Sequence, residues 1–569
     1  MKDSFKTRVR IIYFLIFIFF LVLTTRLFFV QVVRGYYYKD LASQQYVAPA
    51  ENYFDRGEIF FKNKGNQLIS AASIKNGFQL VINPEKIKDI ENIYQKLSQI
   101  ITLDKNDFIS RASKKNDSYE TVAHKIEDDD ANKIKNLTLP GVSLYSETWR
   151  YYPGNNLASR VLGFVGYDNN TLNGRYGVEK FYDSILKRGS ENGFVNSFAA
   201  LFTDIKGAII GENKIGDVVL SIEPSVQAVL EKNLEKIMVQ YKGELAGGII
   251  MDPKTGEIIA MSAKPDFNPN SYGENKNLSL FINPLVENVF EFGSIMKPIT
   301  LGAALDEGKI TASTTYYDSG AVEFNGQKIQ NFDNKARGLS TMQDVLSYSI
   351  NTGAVFAMQQ LGKQEFAKYL ASAGFGEKTG IDLPGEVSGK ISNVLTSPRD
   401  IEYATASFGQ GIAVTPIEMA RALSSLANGG YLVRPYVTEE IKLNGSKNQI
   451  TKPQIKAQIF KKETTEEMSR MLVNVFDKGL LGGTYKMDHY SIAAKTGTAQ
   501  MTAEGQKGYQ EGQYLHSFFG YFPAFDPKFF VFLFTVRPQG VSLASHSLTK
   551  PFVNITKFLI NYYNIAPDR

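Results

Sequence analysis

Pro298 has no amide with which to bond the carbonyl of Ser294, a loss that an α-helix tolerates only in its first turn. The run Glu291-Phe292-Gly293-Ser294-Ile295-Met296-Lys297-Pro298 leads into the apolar, small-residue stretch Ile299 to Leu305 and then Asp306-Glu307-Gly308. This pattern predicts a helix that begins at or beside Ser294 and ends at Gly308. A hydroxyl there sits in the positive field of a helix start, which favours an alkoxide or oxyanion. Lys297, three residues on, shares its face and lies within reach as a base. Ser294 is therefore the candidate nucleophile.

Composition narrows the alternatives. Cysteine is absent, which removes disulfides, thiolate metal sites and a Cys nucleophile together. His124, His489, His516 and His546 are the only histidines, and no HExxH occurs, so a zinc hydrolase is disfavoured. No GxSxG supports a nucleophile elbow. The net charge of +5 over 569 residues is small and the basic residues are scattered, so no nucleic-acid footprint is implied. Neither a metal nor a cofactor is called for.

The length suggests roughly two to four domains. At the N-terminus Lys2, Lys6, Arg8 and Arg10 precede the apolar run Ile11 to Leu23; Thr24, Thr25 and Arg26 interrupt it, and Leu27 to Val33 resume. A helix continuing to Val33 with Arg26 snorkelling is long enough to span a bilayer. No small-residue cleavage site follows, so the segment reads as an uncleaved anchor. The basic flank predicts a cytoplasmic tail, 1–10, a transmembrane anchor, 11–33, and everything later outside the cell.

From residue 34 to 215 the text is mixed and nothing looks catalytic. Glu91 to Ile101 and Ala131 to Lys135 read as short helices, with Glu127-Asp128-Asp129-Asp130 as a solvated helix start. Arg56-Gly57-Glu58-Ile59 and the segments Gly163 to Gly166 and Gly174 to Glu179 read as turn-bounded strands whose Arg and Glu are candidates for structural pairing. From residue 216 to 569 the pattern changes. A strand, Val218 to Ile222, precedes a helix from Pro224 to Tyr241 and a hairpin across Asp252-Pro253-Lys254-Thr255-Gly256. Gln343 to Leu361 reads as helical with a break from Ser349 to Gly353. Ser491 to Ala494, Ser517 to Tyr521 and Phe529 to Val536 read as strands, and Pro551 to Tyr562 as a closing helix. Strands at both ends around a helical middle imply one α+β domain with a sheet assembled from sequence-distant pieces.

Single short motifs carry little weight in this chain. Ser184-x-x-Lys187 is a second SxxK, Lys254-Thr255-Gly256 and Lys378-Thr379-Gly380 are extra KTG copies, and Ser190-Glu191-Asn192 and Ser446-Lys447-Asn448 are extra SxN copies. Order and setting discriminate. Ser294-x-x-Lys297 opens an apolar helix, Ser349-Ile350-Asn351 interrupts a helical segment, and Lys495-Thr496-Gly497-Thr498 continues an apolar strand.

That ordered set resembles the penicilloyl serine transferases, penicillin-binding proteins and serine β-lactamases. The chain is similar in particular to class B, monofunctional penicillin-binding proteins of the division or sporulation type. The resemblance rests also on Arg56-Gly57-Glu58-Ile59, Gly174-x-x-Gly177-x-Glu179, Asp252 to Ile258 and Gly409-Gln410-Gly411 through Pro416. Phe61 and Lys62 stand where the family usually has Asp and Arg. The resemblance implies an elongated mixed α/β pedestal, 34–215, and a transpeptidase domain, 216–569, with an antiparallel sheet covered by helices on both faces, serine β-lactamase-like.

It further implies a peptidoglycan D,D-transpeptidase that cross-links stem peptides through a Ser294 acyl-enzyme and binds β-lactam antibiotics covalently. A hydroxyl without a histidine needs a lysine base, and Lys297 could serve if burial and a second cation, Lys495, lower its pKa. Ser349 would relay the proton to the leaving amine, and Asn351 would hold a substrate amide and orient Lys297. Backbone amides of Ser294 and Thr498 would form the oxyanion hole, and the Thr496 and Thr498 hydroxyls would grip the terminal carboxylate. Gly497 would keep the strand clear for substrate. Implied partners are lipid-linked glycan strands, a SEDS-type membrane glycosyltransferase and division proteins. A β-lactam-hydrolysing or sensing protein and a non-catalytic wall-assembly scaffold are the alternatives on the same fold.

Overall fold

The structure, a computed structural model, describes residues 14, 17–27, 29, 34, 55–114, 117–168, 171–188, 215–502 and 508–569. The expected tail 1–10 lies outside these residues. Of the expected anchor 11–33, residues 17–27 are helical, with Phe17, Phe19, Phe20 and Val22 all exposed. No helix among the described residues is long and apolar enough to cross a membrane.

Two compact units are present. In the first, which includes Lys75–Trp149, the second half of the strand Leu68–Ile82 pairs antiparallel with Glu120–Ile126, Phe78 opposite Ile126. The helices Ile90–Ser98, Lys105–Ala112 and Asp128–Asn136 contribute Ile93, Leu97, Phe108 and Ile134 to its core with Leu80 and Ile82. The acidic run occupies the first turn of the last helix, where the helix dipole favours it.

The second unit holds Arg56–Ile74, Arg150–Arg188 and the described residues from 215 onward. It takes in Arg56–Ile74 and Arg150–Arg188 from the expected pedestal, 34–215. Ile59–Lys62 pairs in parallel with Gly216–Leu220, and Glu179 bonds Arg56 and Arg150, so sequence-distant pieces of the expected pedestal belong with the C-terminal part. Gly174 to Glu179 also differs from expectation. Gly177, at φ +58 with no room for a Cβ beside the Val161 carbonyl, starts a short helix, Gly177–Phe181, and Glu179 lies on that helix.

A five-stranded antiparallel sheet forms the centre of this unit. The helix α1 (Pro224–Tyr241) precedes β1 (Leu245–Met251) and β2 (Ile258–Lys264). The helices α2 (Lys297–Asp306), α3 (Met342–Ser347) and α4 (Asn351–Leu361) follow. The strands β3 (Ala493–Thr502), β4 (Tyr509–Phe522) and β5 (Phe529–Val536) and the helix α5 (Ala544–Tyr563) complete it. The sheet order is β3-β4-β5-β1-β2, which leaves β3 at an edge.

β5 shows how both faces are covered. Phe530, Phe532 and Phe534 join the core of one face, which includes Ile295, Met296 and Ile299, while Val531 and Leu533 join α1 and α5 on the other. Every residue of β5 is buried, the period-two signature of a strand packed on both sides. By the same alternation Ala493 and Ala499 belong to the α2 face and Ala494 to the α1/α5 face. Lys495 and Gly497 therefore share the α2 face, and Thr496 and Thr498 the opposite one.

The closing helix begins seven residues earlier than expected, at Ala544, with Pro551 inside it. Proline is a helix-start signal in sequence, but here it sits in the interior, where it removes one intrahelical bond.

Candidate active site

Ser294 lies in a 3-10 turn, Gly293–Met296, that runs directly into α2, and the Lys297 amide bonds the Ser294 carbonyl. The turn is pressed against β3. A Cβ on Gly293, which has φ +65, would stand 2.8 Å from the Thr498 carbonyl oxygen, so residue 293 must be glycine on two counts. A Cβ on Gly497 would stand 2.5 Å from the Phe292 carbonyl oxygen and 2.4 Å from Ser517 Oγ. The space that Gly497 leaves is thus filled by the serine-bearing turn. Ser517 Oγ, on β4, donates to the Phe292 carbonyl at 2.7 Å and ties that turn to the sheet.

The SxN motif occupies the break between α3 and α4, which is shorter than expected because Asn351 already opens α4. Ser349 has φ +55, a left-handed conformation uncommon for a residue with a side chain. The twist brings both its carbonyl and its hydroxyl to Lys297. Lys297 Nζ donates to the Ser349 carbonyl at 2.6 Å, to Asn351 Oδ1 at 2.8 Å and to Ser349 Oγ at 3.2 Å. Lys495 Nζ donates to the same Ser349 Oγ at 3.0 Å and to the Thr496 carbonyl at 2.8 Å. Asn351 Nδ2 donates to the Gln330 carbonyl at 2.9 Å, which fixes its oxygen toward Lys297. Ser294 is half-buried, and Thr496 and Thr498 are half-buried likewise.

Two ammonium groups therefore share one hydroxyl in a dry setting. Lys297 is 0% and Lys495 2% exposed. Burial, the charge of Lys495 and that of Arg337 push Lys297 well below the usual lysine range. Burial pulls Lys495 down to about 7. Desolvation penalises the charged form of each, and like charge penalises having both charged at once. The pair thus tends to hold fewer than two protons near neutral pH, which is the condition under which one amine can act as a base.

Three residues that motif reading passed over hold this arrangement: Ser517, Asp318 and Asn331. Asp318 is fully buried and accepts from Thr352 Oγ1 at 2.7 Å, from Asn331 Nδ2 at 2.9 Å and from the amides of Gly320 and Arg337. Burial pushes its carboxyl up, but the bonds from Thr352, Gly320, Asn331 and Arg337 outweigh it and hold the group below the usual range. Asn331 Oδ1 in turn accepts from the amides of Asn351 at 3.0 Å and Thr352 at 3.2 Å. Ile350, the residue preceding α4, offers no side-chain cap, so Asn331 supplies one from another segment. An uncapped helix start at Ile350 is the one local signal that such a residue must exist.

Asn331→Ala is expected to cost roughly 1–2 kcal/mol through loss of this cap, read as a lower melting temperature. It should also slow acylation about tenfold or more by loosening Ser349 and Asn351. A variant with wild-type acylation rate would show that the cap does not govern the site.

The duplicate motifs fall elsewhere. Lys254 to Gly256 form the β1–β2 turn, with Lys254 paired to Asp526. Thr379 donates its amide to Glu386 at 2.6 Å in a loop.

The penicillin-binding protein transpeptidase domain family matches residues 246–556, and the penicillin-binding protein dimerisation domain family matches residues 53–201. The chain belongs to the class B penicillin-binding proteins. It is 33% identical to stage V sporulation protein D of Bacillus subtilis (strain 168), over 100% of this chain and 88% of that one. It is 27% identical to the peptidoglycan D,D-transpeptidase FtsI of Buchnera aphidicola subsp. Baizongia pistaciae, over 100% of this chain and 97% of that one. Penicillin-binding protein 2X from Streptococcus thermophilus shares the fold, with a TM-score of 0.70 at 20% identity over 90% of this chain and 79% of that one.

Proposed function

We propose that this class B penicillin-binding protein is a peptidoglycan D,D-transpeptidase of division or sporulation, with Ser294 as its nucleophile. The observation that carries the reading is the Ser349 hydroxyl, bonded at once by two buried lysines beside the turn that bears Ser294. Lys297, neutral, takes the Ser294 proton as Oγ attacks the carbonyl of a D-Ala-D-Ala terminus. The oxyanion is held by the backbone N–H groups of Ser294 and Thr498. Ser349 passes the proton to the amide nitrogen as the C–N bond breaks and D-alanine leaves. The amine of a second stem then attacks the ester, its proton returns through the lysines, and Ser294 is released with a new peptide cross-link formed.

Lys495 keeps positive potential beside Ser349, and Asn351 orients Lys297 and meets a substrate amide. The Thr496 and Thr498 hydroxyls, which share one face of β3, hold the terminal carboxylate. Gly497 allows the nucleophile turn to lie against the strand. β-Lactams enter as acyl donors whose ester persists.

The N-terminal segment 11–33 anchors the chain in the cytoplasmic membrane with the catalytic unit outside. Its exposed phenylalanines and the basic residues before it support this reading. The matched dimerisation-domain region, 53–201, corresponds to the pedestal. A SEDS-type glycosyltransferase and division proteins are the proposed partners, and that membrane glycosyltransferase supplies the glycan strands.

The test supplies a D-Ala-D-Ala-ending donor and an amine acceptor to the full-length protein in detergent. Release of D-alanine with formation of cross-linked dimer is expected. Rapid hydrolysis of penicillin without dimer would replace this reading with a β-lactamase, and absence of any acyl-enzyme would replace it with a scaffold.

A further inference from the structure

His516 stands on β4 directly opposite Thr498 on β3, so the two side chains lie on the same face of the sheet, the face covered by α1 and α5. It is fully buried. Its Nδ1 lies 2.8 Å from the hydroxyl of Ser547, in the first turn of α5. Burial pulls the imidazole down to about 4, against a raising contribution from the Ser542 backbone, so the ring is neutral at physiological pH.

A neutral imidazole has one N–H and one bare nitrogen, so Nδ1 bonds a hydroxyl with either one in place; Ser547 Oγ also reaches the Ala544 carbonyl in its own turn, at 3.3 Å. The same first turn presents the Ala544 amide, which donates to Thr498 Oγ1 at 3.2 Å. Pro551 deprives the Ser547 carbonyl of its helical partner and weakens the turns on either side. The start of α5 therefore depends on ties to the sheet, and the bond to His516 is one of them.

Resting on the reading of Thr498 as a carboxylate grip, we infer that His516 is a positioning residue for recognition of the donor's terminal carboxylate. By its bond to the Ser547 hydroxyl it holds the start of α5 in place, so that the Ala544 N–H takes a lone pair of Thr498 Oγ1. The Thr498 proton is then left to point at an anion. The positive end of α5 adds to the attraction.

The test compares two acyl-D-alanyl thioesters on the full-length protein, one ending in a free carboxylate and one in its methyl ester. It reads kcat/KM for each by thiol release. The wild type should prefer the carboxylate. His516→Leu and Ser547→Ala should each cut that preference about tenfold, chiefly through KM, with the ester rate changing less than twofold. His516→Asn, whose amide can bond the Ser547 hydroxyl in place of Nδ1 as donor or acceptor, should restore most of it. Equal losses on both substrates would mean a merely structural role and would overturn the inference. So would a preference unchanged in Ser547→Ala, the variant that tests the tie should His516→Leu fail to fold. Thr498→Val separates the two levels. If it abolishes the preference while the His516 and Ser547 variants keep it, the relay is wrong; if it leaves the preference intact, the reading of Thr498 fails and the inference with it.

Discussion

Ser294→Ala is expected to abolish the penicillin adduct, and Lys297→Met to slow acylation about 10³-fold, with neither variant losing the fold. The second half of this expectation is the informative one. Lys297 is 0% exposed and pushed far below its ordinary range, so the folded protein pays for keeping an amine there. The unfolded state binds more protons than the folded one between the depressed pKa and about 10.4, so burying this lysine costs stability at neutral pH and the cost fades as pH rises through that window. Methionine has a similar length and no charge to desolvate. The variant should therefore melt at or above the wild-type temperature at pH 7 while being nearly inactive.

The same electrostatics set the pH profile. With Lys297 as the proposed base, acylation requires it neutral, so the rate is expected to rise with pH through its pKa. Lys495→Met removes the neighbouring charge that helps hold that pKa down, and the acid limb should move to higher pH. Intact-protein mass spectrometry of the adduct formed over time at several pH values reads both effects. A limb that stays fixed in Lys495→Met would mean that burial and Arg337 tune Lys297 without Lys495, and full acylation of Lys297→Met would remove it as the base.

How much of this was legible in sequence follows from how far each interaction reaches along the chain. Lys297, Ser349, Asn351 and Lys495 stand in three short peptides whose local text, a proline-marked helix start, a helix break and an apolar strand, survives in the fold. Those four side chains meet through hydrogen bonds. Asp318 and Asn331 carry no such text. Asn331 lies 20 residues from the amide it caps, and an asparagine in a polar loop looks like any other turn residue. Pro551 hid the first turn of α5, since proline usually opens a helix and here interrupts one. With that turn went Ser547, and His516 then had no visible partner. The packing of early segments against the C-terminal part was hidden for a related reason. Parallel pairing of Ile59–Lys62 with Gly216–Leu220 joins segments that no local pattern connects.

Arg56 and Glu179 are the exception, because their pairing was readable as a possibility and proves central. Glu179→Gln is expected to destabilise the larger unit by about 3–5 kcal/mol. Glu179 is 0% exposed and accepts from Arg56 Nε at 2.6 Å, from Arg150 Nε at 2.6 Å and from the Tyr152 hydroxyl at 3.1 Å. Arg56 also reaches Asp183 at 2.7 Å, but Arg150 has no other carboxylate among its described partners and otherwise bonds the Gly57 carbonyl. Removing one negative charge leaves a buried guanidinium unpaired, and glutamine adds a donor where the site requires an acceptor.

The direction of the pH effect follows from the same contacts. Burial alone would raise the Glu179 carboxyl, but Arg150 and Arg56 outweigh it and hold the group below its ordinary value. A depressed carboxyl contributes stability above its unfolded pKa of about 4.3 and loses it as pH falls through the folded value. Thermal unfolding of wild type and Glu179→Gln should therefore differ most near neutrality and converge as pH falls below about 4. Activity per folded molecule should remain, since Glu179 touches none of Ser294, Lys297, Ser349 or Lys495. A variant as stable as wild type at pH 7 would mean that the two arginines find other partners and that the buried cluster, despite its geometry, is not what joins the early segments to the C-terminal part.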